Sequence, residues 1–233
     1  MSMDHVFAPD AGAVILVDKP LGWTSFDAVN KIRAAMRSVV KRRNFKVGHA
    51  GTLDPLASGL LIMAYGPCTK QLPMLTGLEK TYTGTITLGG TTPSYDLETI
   101  PEPSGEWKHL TEAQIKAAFA GFIGEMDQRP PLFSARRHDG ERGYWLARDG
   151  SQVELPMKRV LILGLTVTAI RGAEVDFEVE VGKGTYIRSL AHDIGQVLGC
   201  GAHLSALRRT AIGPHRVEDA HPPVQWADHI APR

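Results

Sequence analysis

The chain has 233 residues, which suffices for one large domain or two small ones around a substantial core. Hydrophobic residues make up 43% and charged residues 22%, as in soluble globular proteins, and the formal net charge of +1 neither indicates nor excludes a polyanionic partner. The two cysteines, Cys68 and Cys200, provide neither metal-ligand spacing nor a disulfide framework, and the sequence contains no apolar run of transmembrane length and no signal-peptide pattern. We therefore expect no metal, no membrane association and a reducing, cytoplasmic setting.

Charge is unevenly distributed along the chain. Residues 28–46 contain seven Lys or Arg and no Asp or Glu, and residues 129–148 contain five arginines against Asp139 and Glu141. The region 96–127 is mostly acidic. Such segregation can create a phosphate-facing side on a nearly neutral molecule, although a solvated basic face is the alternative.

The first predicted elements are a strand and a helix. A short apolar run at residues 13–17, rich in branched side chains, predicts a strand. The next helix is predicted to begin after Thr24, which can cap it together with Asp27 three residues later. It should end near Val40, with one basic face and one core face. The core face is predicted to contain Phe26, Val29, Ile32, Met36, Val39 and Val40.

The remaining elements follow without a regular alternation. Residues 48–59 hold three glycines and one proline and are predicted to form a loop. Residues 124–156 show little periodicity, which favours a long functional insertion. Because strands and helices are interspersed without a βαβ pattern, the predicted class is α+β. Strands are predicted at 60–65, 80–88, 160–170 and 175–181, and helices at 111–122 and 187–198.

The most informative stretch is residues 48–61, GHAGTLDPLASGLL. It places one carboxylate, Asp54, on a tight loop between a basic segment and an apolar strand. Glycines permit sharp turns and close approach of a ligand, and Pro55 stiffens the backbone beside Asp54. A lone Asp-Pro pair is usually a turn or cap, so the pair alone favours that interpretation.

The whole stretch, however, resembles the TruB family signature G-H-x-G-x-L-D-P-x-A-x-G at each fixed position. Further similarity to this family follows in the family's order along nearly the whole chain, which makes a chance match negligible. It covers 18–25 (DKPLGWTS), 80–82 (KTY), 128–135 (QRPPLFSA) with Tyr144 and 147–150 (ARDG), 184–190 (GTYIRSL) and 201–209 (GAHLSALRR).

This resemblance implies a pseudouridine-synthase fold with a mixed, mainly antiparallel central sheet, flanking helices and an inserted RNA-gripping loop at about 124–156. The whole chain, 1–233, would be a single catalytic domain. The implied reaction isomerises uridine to pseudouridine at position 55 in the T loop of tRNA, with a flipped base and no cofactor. The absence of a P-loop, a dinucleotide fingerprint or metal-ligand spacing from the sequence agrees with such chemistry.

The resemblance also assigns three catalytic residues. Asp54 would act as a covalent nucleophile or as the group that promotes elimination, and either role needs an ionised carboxylate. Arg188 would pair with Asp54, lowering its pKa and fixing its orientation. Tyr82 would lie against the flipped uracil and could serve as the base in proton transfer.

Five further residues are carried over as substrate contacts. His49 would insert a flat ring near the space that the flipped base leaves in the T loop. Tyr186 and Leu207 would line the uracil pocket, and Asp96 aligns with a family aspartate. Lys19 would lie near the pocket, and a phosphate contact or a structural role is expected for it as much as a catalytic one.

RNA phosphates are expected to be bound by two basic groups, which should produce a salt-dependent affinity. One group flanks the first helix and the other lies in the insertion. The residues are Lys41, Arg42, Arg43 and Lys46, and Arg136, Arg137, Arg142 and Arg148.

The sequence departs from the family pattern at three places. Residues 92–98 read TPSYDLE where many members have T-D-T-x-D-x-x-G, and Arg136 stands where lysine is frequent. The chain ends about twenty residues past Arg209, so the C-terminal RNA-binding PUA domain common in the family is not expected. Affinity would then come from the catalytic domain.

The expected function is that of a stand-alone, monomeric tRNA-modifying enzyme that needs no protein partner, and two other functions are alternatives. One is an RNA chaperone that folds tRNA with little catalysis, against which the intact Asp54, Tyr82 and Arg188 argue. The other is a guide-dependent rRNA pseudouridine synthase, which requires partner proteins and usually a C-terminal RNA-binding domain.

Overall fold

The computed structural model describes residues 7–41, 44–134 and 155–232, together with the backbone of 137–138 and 141–142. None of the helices in these ranges is long and apolar enough to cross a membrane. The helices are α1 (Ser25–Val40), α2 (Leu72–Gly77), α3 (Glu112–Ala120), α4 (Ile187–Val197) and α5 (Pro223–Ile230), with 3-10 turns at Gly66–Gln71 and Val217–Asp219.

Strands provide most of the framework. They are β1 (Ala13–Lys19), β2 (Val47–Ala50), β3 (Ala57–Tyr65), β4 (Lys80–Leu88), β5 (Gly90–Thr91), β6 (Glu102–Pro103), β7 (Gly124–Gln128), β8 (Arg137–His138), β9 (Glu141–Arg142), β10 (Lys158–Arg171), β11 (Glu174–Val181), β12 (Ala202–Ile212) and β13 (His215–Arg216). The mixed, mainly antiparallel sheet with helices confirms the predicted α+β class.

The chain divides into two compact units. The first consists of Met1–Tyr82 and Leu207–Arg233, and the second of Thr83–Ala206. Strand order is β1-β3-β12-β4 in the first unit and β12-β4-β11-β10-β7 in the second, because β4 and β12 each have residues in both. β3 pairs with β1 and β2 in antiparallel fashion and with β12 in parallel.

In the first unit, β3 is buried on both faces. Its side chains alternate between two apolar clusters, as the two-residue period of a strand requires. Leu61, Met63 and Tyr65 join the cluster that contains the core face of α1 and Trp226 of α5. Leu60 and Ile62 join the cluster on the opposite face. The strand predicted at 60–65 is thus confirmed and begins three residues earlier, at Ala57.

Helix α1 begins and ends where the sequence predicted. Thr24 accepts a hydrogen bond from the Asp27 N–H, and the Asp27 carboxylate accepts one from the Thr24 N–H, so the capping box is complete. Of the predicted core residues, Val29, Ile32 and Met36 are buried and Val40 is half-buried, but Phe26 and Val39 are 60% and 49% exposed. Their predicted core positions were wrong: Phe26 lies off the buried face, beneath the Arg33 guanidinium, and Val39 falls in the last turn.

In the second unit, an antiparallel hairpin joins β10 to β11. The register begins at Arg171↔Glu174, so the turn at residues 171–173 confirms the predicted pairing. Gly172 takes a φ of +62°, a left-handed conformation that glycine adopts without penalty. β7 pairs with β10 at the start of the stretch that was predicted to be an insertion. Helix α3 packs on this layer, with Phe119 beside Phe177.

Several elements were not predicted from the sequence, among them β2, β12 and α5. Residues 47–50 form β2 instead of loop, because they pair with residues 62–65 at the C-terminal end of β3. Residues 202–212 form β12, which was not predicted as a strand. Helix α5 was also missed: it is short and begins at a proline, and it is fixed by burial of Trp226, whose indole N–H donates to Leu16 O at 2.8 Å.

We predict that Gly59→Ala prevents stable folding. Gly59 has a φ of +102°, and a Cβ there would lie 2.3 Å from the Arg209 carbonyl oxygen of the adjacent strand, where no side-chain movement can relieve the overlap. Gly199→Ala is the matched control, since Gly199 has a φ of +73° but no neighbouring atom within 4 Å of the place that a Cβ would occupy. The control should lose about 1–2 kcal/mol in urea unfolding. Equal stability of the two variants would contradict the prediction.

Candidate active site

The loop that carries Asp54 is tied to the N-terminus of α1. The Ser25 hydroxyl donates to Leu53 O at 3.0 Å and accepts from the Leu53 N–H at 2.8 Å, and it is buried. On the other side, the Gly22 N–H donates to Pro55 O at 2.8 Å, and the Ala57 N–H donates to Asp54 O at 3.1 Å. Both peptides flanking Asp54 are therefore fixed, while its side chain is half-buried.

Lys19 places a buried cation close to Asp54. It ends β1 with no exposed surface, and its ammonium donates to Pro20 O at 2.9 Å and to Trp23 O. Burial lowers the pKa of Lys19 to about 8, and the negative charge of Asp54 partly offsets this effect. Its use of backbone carbonyls favours the structural role over the phosphate-binding and catalytic roles that were left open for it.

Two further buried cations of the first unit were not assigned a role from the sequence: Arg209 supports the same loop, and Lys80 supports the start of β4. Arg209 donates from Nε to Leu60 O at 2.7 Å and from Nη2 to Gly51 O at 3.0 Å. Its guanidinium carbon lies 6.0 Å from the centroid of the Tyr82 ring, within the range of a cation–π contact. Arg209 thus joins β3, the loop before Asp54 and the Tyr82 ring.

Lys80 lies two residues before Tyr82 on β4 and is also buried. Its ammonium donates to Thr76 O at 2.7 Å and to Leu78 O at 2.6 Å. Burial, followed by the positive charge of Arg209, lowers its pKa to about 8. These contacts join the end of α2 to the start of the strand that carries Tyr82.

The other predicted site residues of the first unit lie on strands. Tyr82 is buried on β4, and Leu207 is half-buried on β12, where it pairs with Ala57 of β3. His49 is on β2 rather than on a loop and is half-buried. Burial, and secondarily the Arg209 charge, lower the pKa of His49, so its ring is neutral at pH 7. A neutral, flat ring suits the predicted insertion into the T loop.

In the second unit, Arg188 is buried in the first turn of α4 and contacts the segment Ser94–Asp96. Its Nη1 donates to Ser94 O at 3.2 Å, and its Nε lies 3.6 Å from Asp96 Oδ2. Asp96 is also buried, and its other carboxylate oxygen accepts from the Glu98 N–H at 3.0 Å. The variant loop at residues 92–98 therefore still presents its aspartate to Arg188.

Tyr186 immediately precedes α4 and is held by Gln128 of β7. The Gln128 amide accepts from the Tyr186 N–H at 2.8 Å and donates to Tyr186 O at 3.1 Å. One turn into α4, the Ser189 hydroxyl donates to Arg129 O at 2.7 Å. The start of the predicted insertion is thus joined to the helix start that carries Tyr186 and Arg188.

The predicted site residues are divided between the units. Asp54, Tyr82, His49, Leu207 and Lys19 lie in the first, and Arg188, Tyr186 and Asp96 in the second. The pairing of Asp54 with Arg188 joins residues of different units and stays a prediction. Among the predicted phosphate contacts, Lys41 and Lys46 are exposed. Arg42, Arg43, Arg136 and Arg148, and the side chains of Arg137 and Arg142, lie outside the described residues.

Comparison with known proteins identifies the family. A profile of the TruB family pseudouridylate synthase N-terminal domain matches residues 37–187, and one of the tRNA pseudouridylate synthase B C-terminal domain matches residues 188–228. The chain is 48% identical over 210 residues to a tRNA pseudouridine synthase B of Flavobacterium johnsoniae, with 90% of this chain and 92% of that protein covered. For that of Chlorobium luteolum the identity is 49%, with 91% and 73% covered. The chain belongs to the TruB family, and it is accordingly an isomerase that acts as a pseudouridine synthase.

Solved structures show the same fold. A chain in a Cbf5-Nop10-Gar1 complex is 34% identical with a TM-score of 0.65, and 87% of this protein matches it. A chain in an H/ACA RNP bound to a substrate RNA containing 2′-deoxyuridine is 31% identical with a TM-score of 0.61. The present chain spans about half the length of each, 49% and 48% respectively.

We predict that Ser25→Ala loosens the catalytic loop. The change leaves the N–H and C=O of Leu53 without their buried partner, so the free energy of unfolding should fall by about 1–3 kcal/mol. Asp54 is the next residue, so kcat for pseudouridine formation should also fall. Ser38→Ala on the exposed side of the same helix is the control and should change neither quantity, because its hydroxyl bonds only within the helix. Unchanged kcat in Ser25→Ala would contradict this role.

Proposed function

We propose that the protein isomerises uridine to pseudouridine at position 55 in the T loop of tRNA, with Asp54 as the essential carboxylate. The similarity to two named tRNA pseudouridine synthase B proteins over about nine-tenths of this chain supports the tRNA substrate. The signature at residues 48–59, with Asp54 on a loop fixed from both sides, carries the assignment of the carboxylate.

The proposed reaction is redox-neutral and needs no cofactor. The bond between ribose C1′ and uracil N1 breaks, the uracil rotates within the site, and a bond from C1′ to C5 forms. The hydrogen on C5 is lost as a proton and N1 gains one, so atoms and charge balance. Asp54 participates as an anion, either by covalent attack or by promoting elimination.

The anionic role proposed for Asp54 has one buried cation beside it in the first unit. Lys19 has a pKa of about 8 and is therefore mostly protonated at pH 7, and it interacts electrostatically with Asp54. We propose that Arg188 adds a second cation during catalysis, and that Asp96 holds its guanidinium in place.

Substrate binding would combine base extrusion with phosphate contacts. Removing a base from a stack costs a few kcal/mol, and the neutral ring of His49 would recover part of this by occupying the vacated space. Tyr186 and Leu207 would contact the uracil. The exposed Lys41 and Lys46, with the arginines of the insertion, would bind the T-arm backbone and produce a salt-dependent affinity.

We also propose that the protein acts in the cytoplasm as a monomer without an obligate protein partner. The two cysteines are both free, which suits a reducing compartment. A guide-dependent synthase is less well supported, since the relatives named for tRNA are 48–49% identical, against 34% and 31% for the Cbf5 complex and the H/ACA RNP. A purely chaperone role would leave the fixed carboxylate without a purpose.

The central prediction concerns tritium release. The purified chain alone should release tritium from an unmodified T-arm stem–loop labelled at uridine C5, since that hydrogen is lost when the new bond forms. Asp54→Asn should lower kcat by about a thousandfold or more, because the amide carries no charge. Asp219→Asn, which changes an exposed carboxylate of the same unit, is the control. No release by folded wild type would support the chaperone, and full activity of Asp54→Asn would refute the assignment.

A second prediction separates the two proposed roles of Tyr82. Tyr82→Phe keeps the flat face but removes the hydroxyl, so T-arm affinity should be retained while tritium release is lost. Tyr82→Leu should weaken both, because the flat face is lost as well. Filter binding gives Kd and the tritium assay gives kcat. Wild-type kcat in Tyr82→Phe would exclude the hydroxyl from proton transfer.

A further inference from the structure

Helix α4 presents two residues, one turn apart, to the same short segment of the second unit. Arg188 donates to Ser94 O and lies beside the Asp96 carboxylate. His192, four residues later and so on the same helix face, stacks on Tyr95 with ring centroids 4.0 Å apart and planes 19° from parallel. Tyr95, which lies between the two residues that Arg188 contacts, is thus held by a separate contact with the same helix.

Tyr95 adopts a backbone conformation that is uncommon for its residue type. Its φ is +64°, in the left-handed region that bulky residues rarely occupy. Its N–H donates to Thr92 O at 3.1 Å, and its carbonyl accepts from the Leu204 N–H at 2.9 Å. Such strained residues persist where surrounding contacts hold them, and they concentrate at functional sites. Here the ring stack is the side-chain contact that accompanies the strain.

The stack depends on shape and dispersion rather than on charge. Burial lowers the pKa of His192, so its ring is neutral at pH 7. Its Nδ1 is buried and has no hydrogen-bond partner among the described residues, so no hydrogen bond at that atom accounts for the position of the ring. Burial and the negative charge of Asp193 raise the pKa of Tyr95, which keeps the phenol neutral as well.

We propose that the Tyr95–His192 stack positions the Asp96 carboxylate, and through it Arg188, for pseudouridine formation. The two rings act through the ion pair and are positioning residues. The inference rests on the proposed function of Arg188 and Asp96. It assigns a role to Tyr95, which lies in the segment where this sequence departs from the family pattern, and to His192, which sequence analysis did not single out.

The test separates the ring contact from the backbone conformation. Tyr95→Gly removes the ring but adopts positive φ readily, and His192→Ala removes the partner ring. Both should lower kcat by roughly tenfold to a hundredfold, with an unchanged KM for the T-arm stem–loop, because a small misplacement of a catalytic group affects the chemical step. Tyr95→Phe and His192→Phe keep a flat ring and should retain wild-type kcat. The double variant Tyr95→Gly with His192→Ala should lose no more than either single variant.

Two controls decide between positioning and general destabilisation. Phe119→Leu weakens a different ring pair in the core of the same unit and should lower stability while leaving kcat unchanged. Wild-type kcat in Tyr95→Gly and His192→Ala, or an equal loss in Phe119→Leu, would overturn the proposal. A crystal structure of His192→Ala provides a readout without activity. A separation of Arg188 Nε and Asp96 Oδ2 longer than in a crystal structure of the wild type supports the positioning role, and an unchanged separation overturns it, even if the wild type releases no tritium.

Discussion

The first unit depends on burying positive charge next to a loop that carries an anion. A buried ammonium or guanidinium is tolerated only when its donors are satisfied, and here backbone carbonyls accept their hydrogen bonds. Lys19 uses the carbonyls of the turn after β1, and Arg209 uses those of β3 and of the loop before Asp54. The hydrogen bonds that make the cations tolerable therefore also fix the backbone around the carboxylate.

Local patterns predicted the elements whose structure is decided locally. The capping box of α1 needs only Thr24 and Asp27, and the hairpin of β10 and β11 needs only alternation around a glycine turn. β2 and α5 were missed because tertiary pairing decides them. β2 is extended because it lies against β3, and α5 is held by its buried face, in which Trp226 and Ile230 join the core. Neither signal is visible in a short window of sequence.

The sequence motif predicted the carboxylate of the candidate site but not the buried cations that support its loop. A signature of twelve positions identified Asp54, whereas the roles of Arg209 and Lys80 depend on which carbonyls the fold brings to them. In the sequence of an alternating strand, an arginine or lysine usually indicates a position that faces solvent. Likewise, nothing in the sequence of residues 92–98 indicates that Tyr95 has positive φ, because its contacts include residues about a hundred positions later in the chain.

Two of the predicted pocket residues, Tyr82 and Leu207, lie where the chain passes from one unit to the other. The chain passes between units within β4, after Tyr82, and within β12, before Leu207. Both residues therefore lie on continuous strands that have a neighbouring strand on each side, and such strands deform less readily than loops. The proposed uracil pocket would need fixed walls while the base rotates, and strand residues supply them better than a loop would. The carboxylate lies on a loop, and it is this loop that requires the buried serine and the buried cations to restrict it.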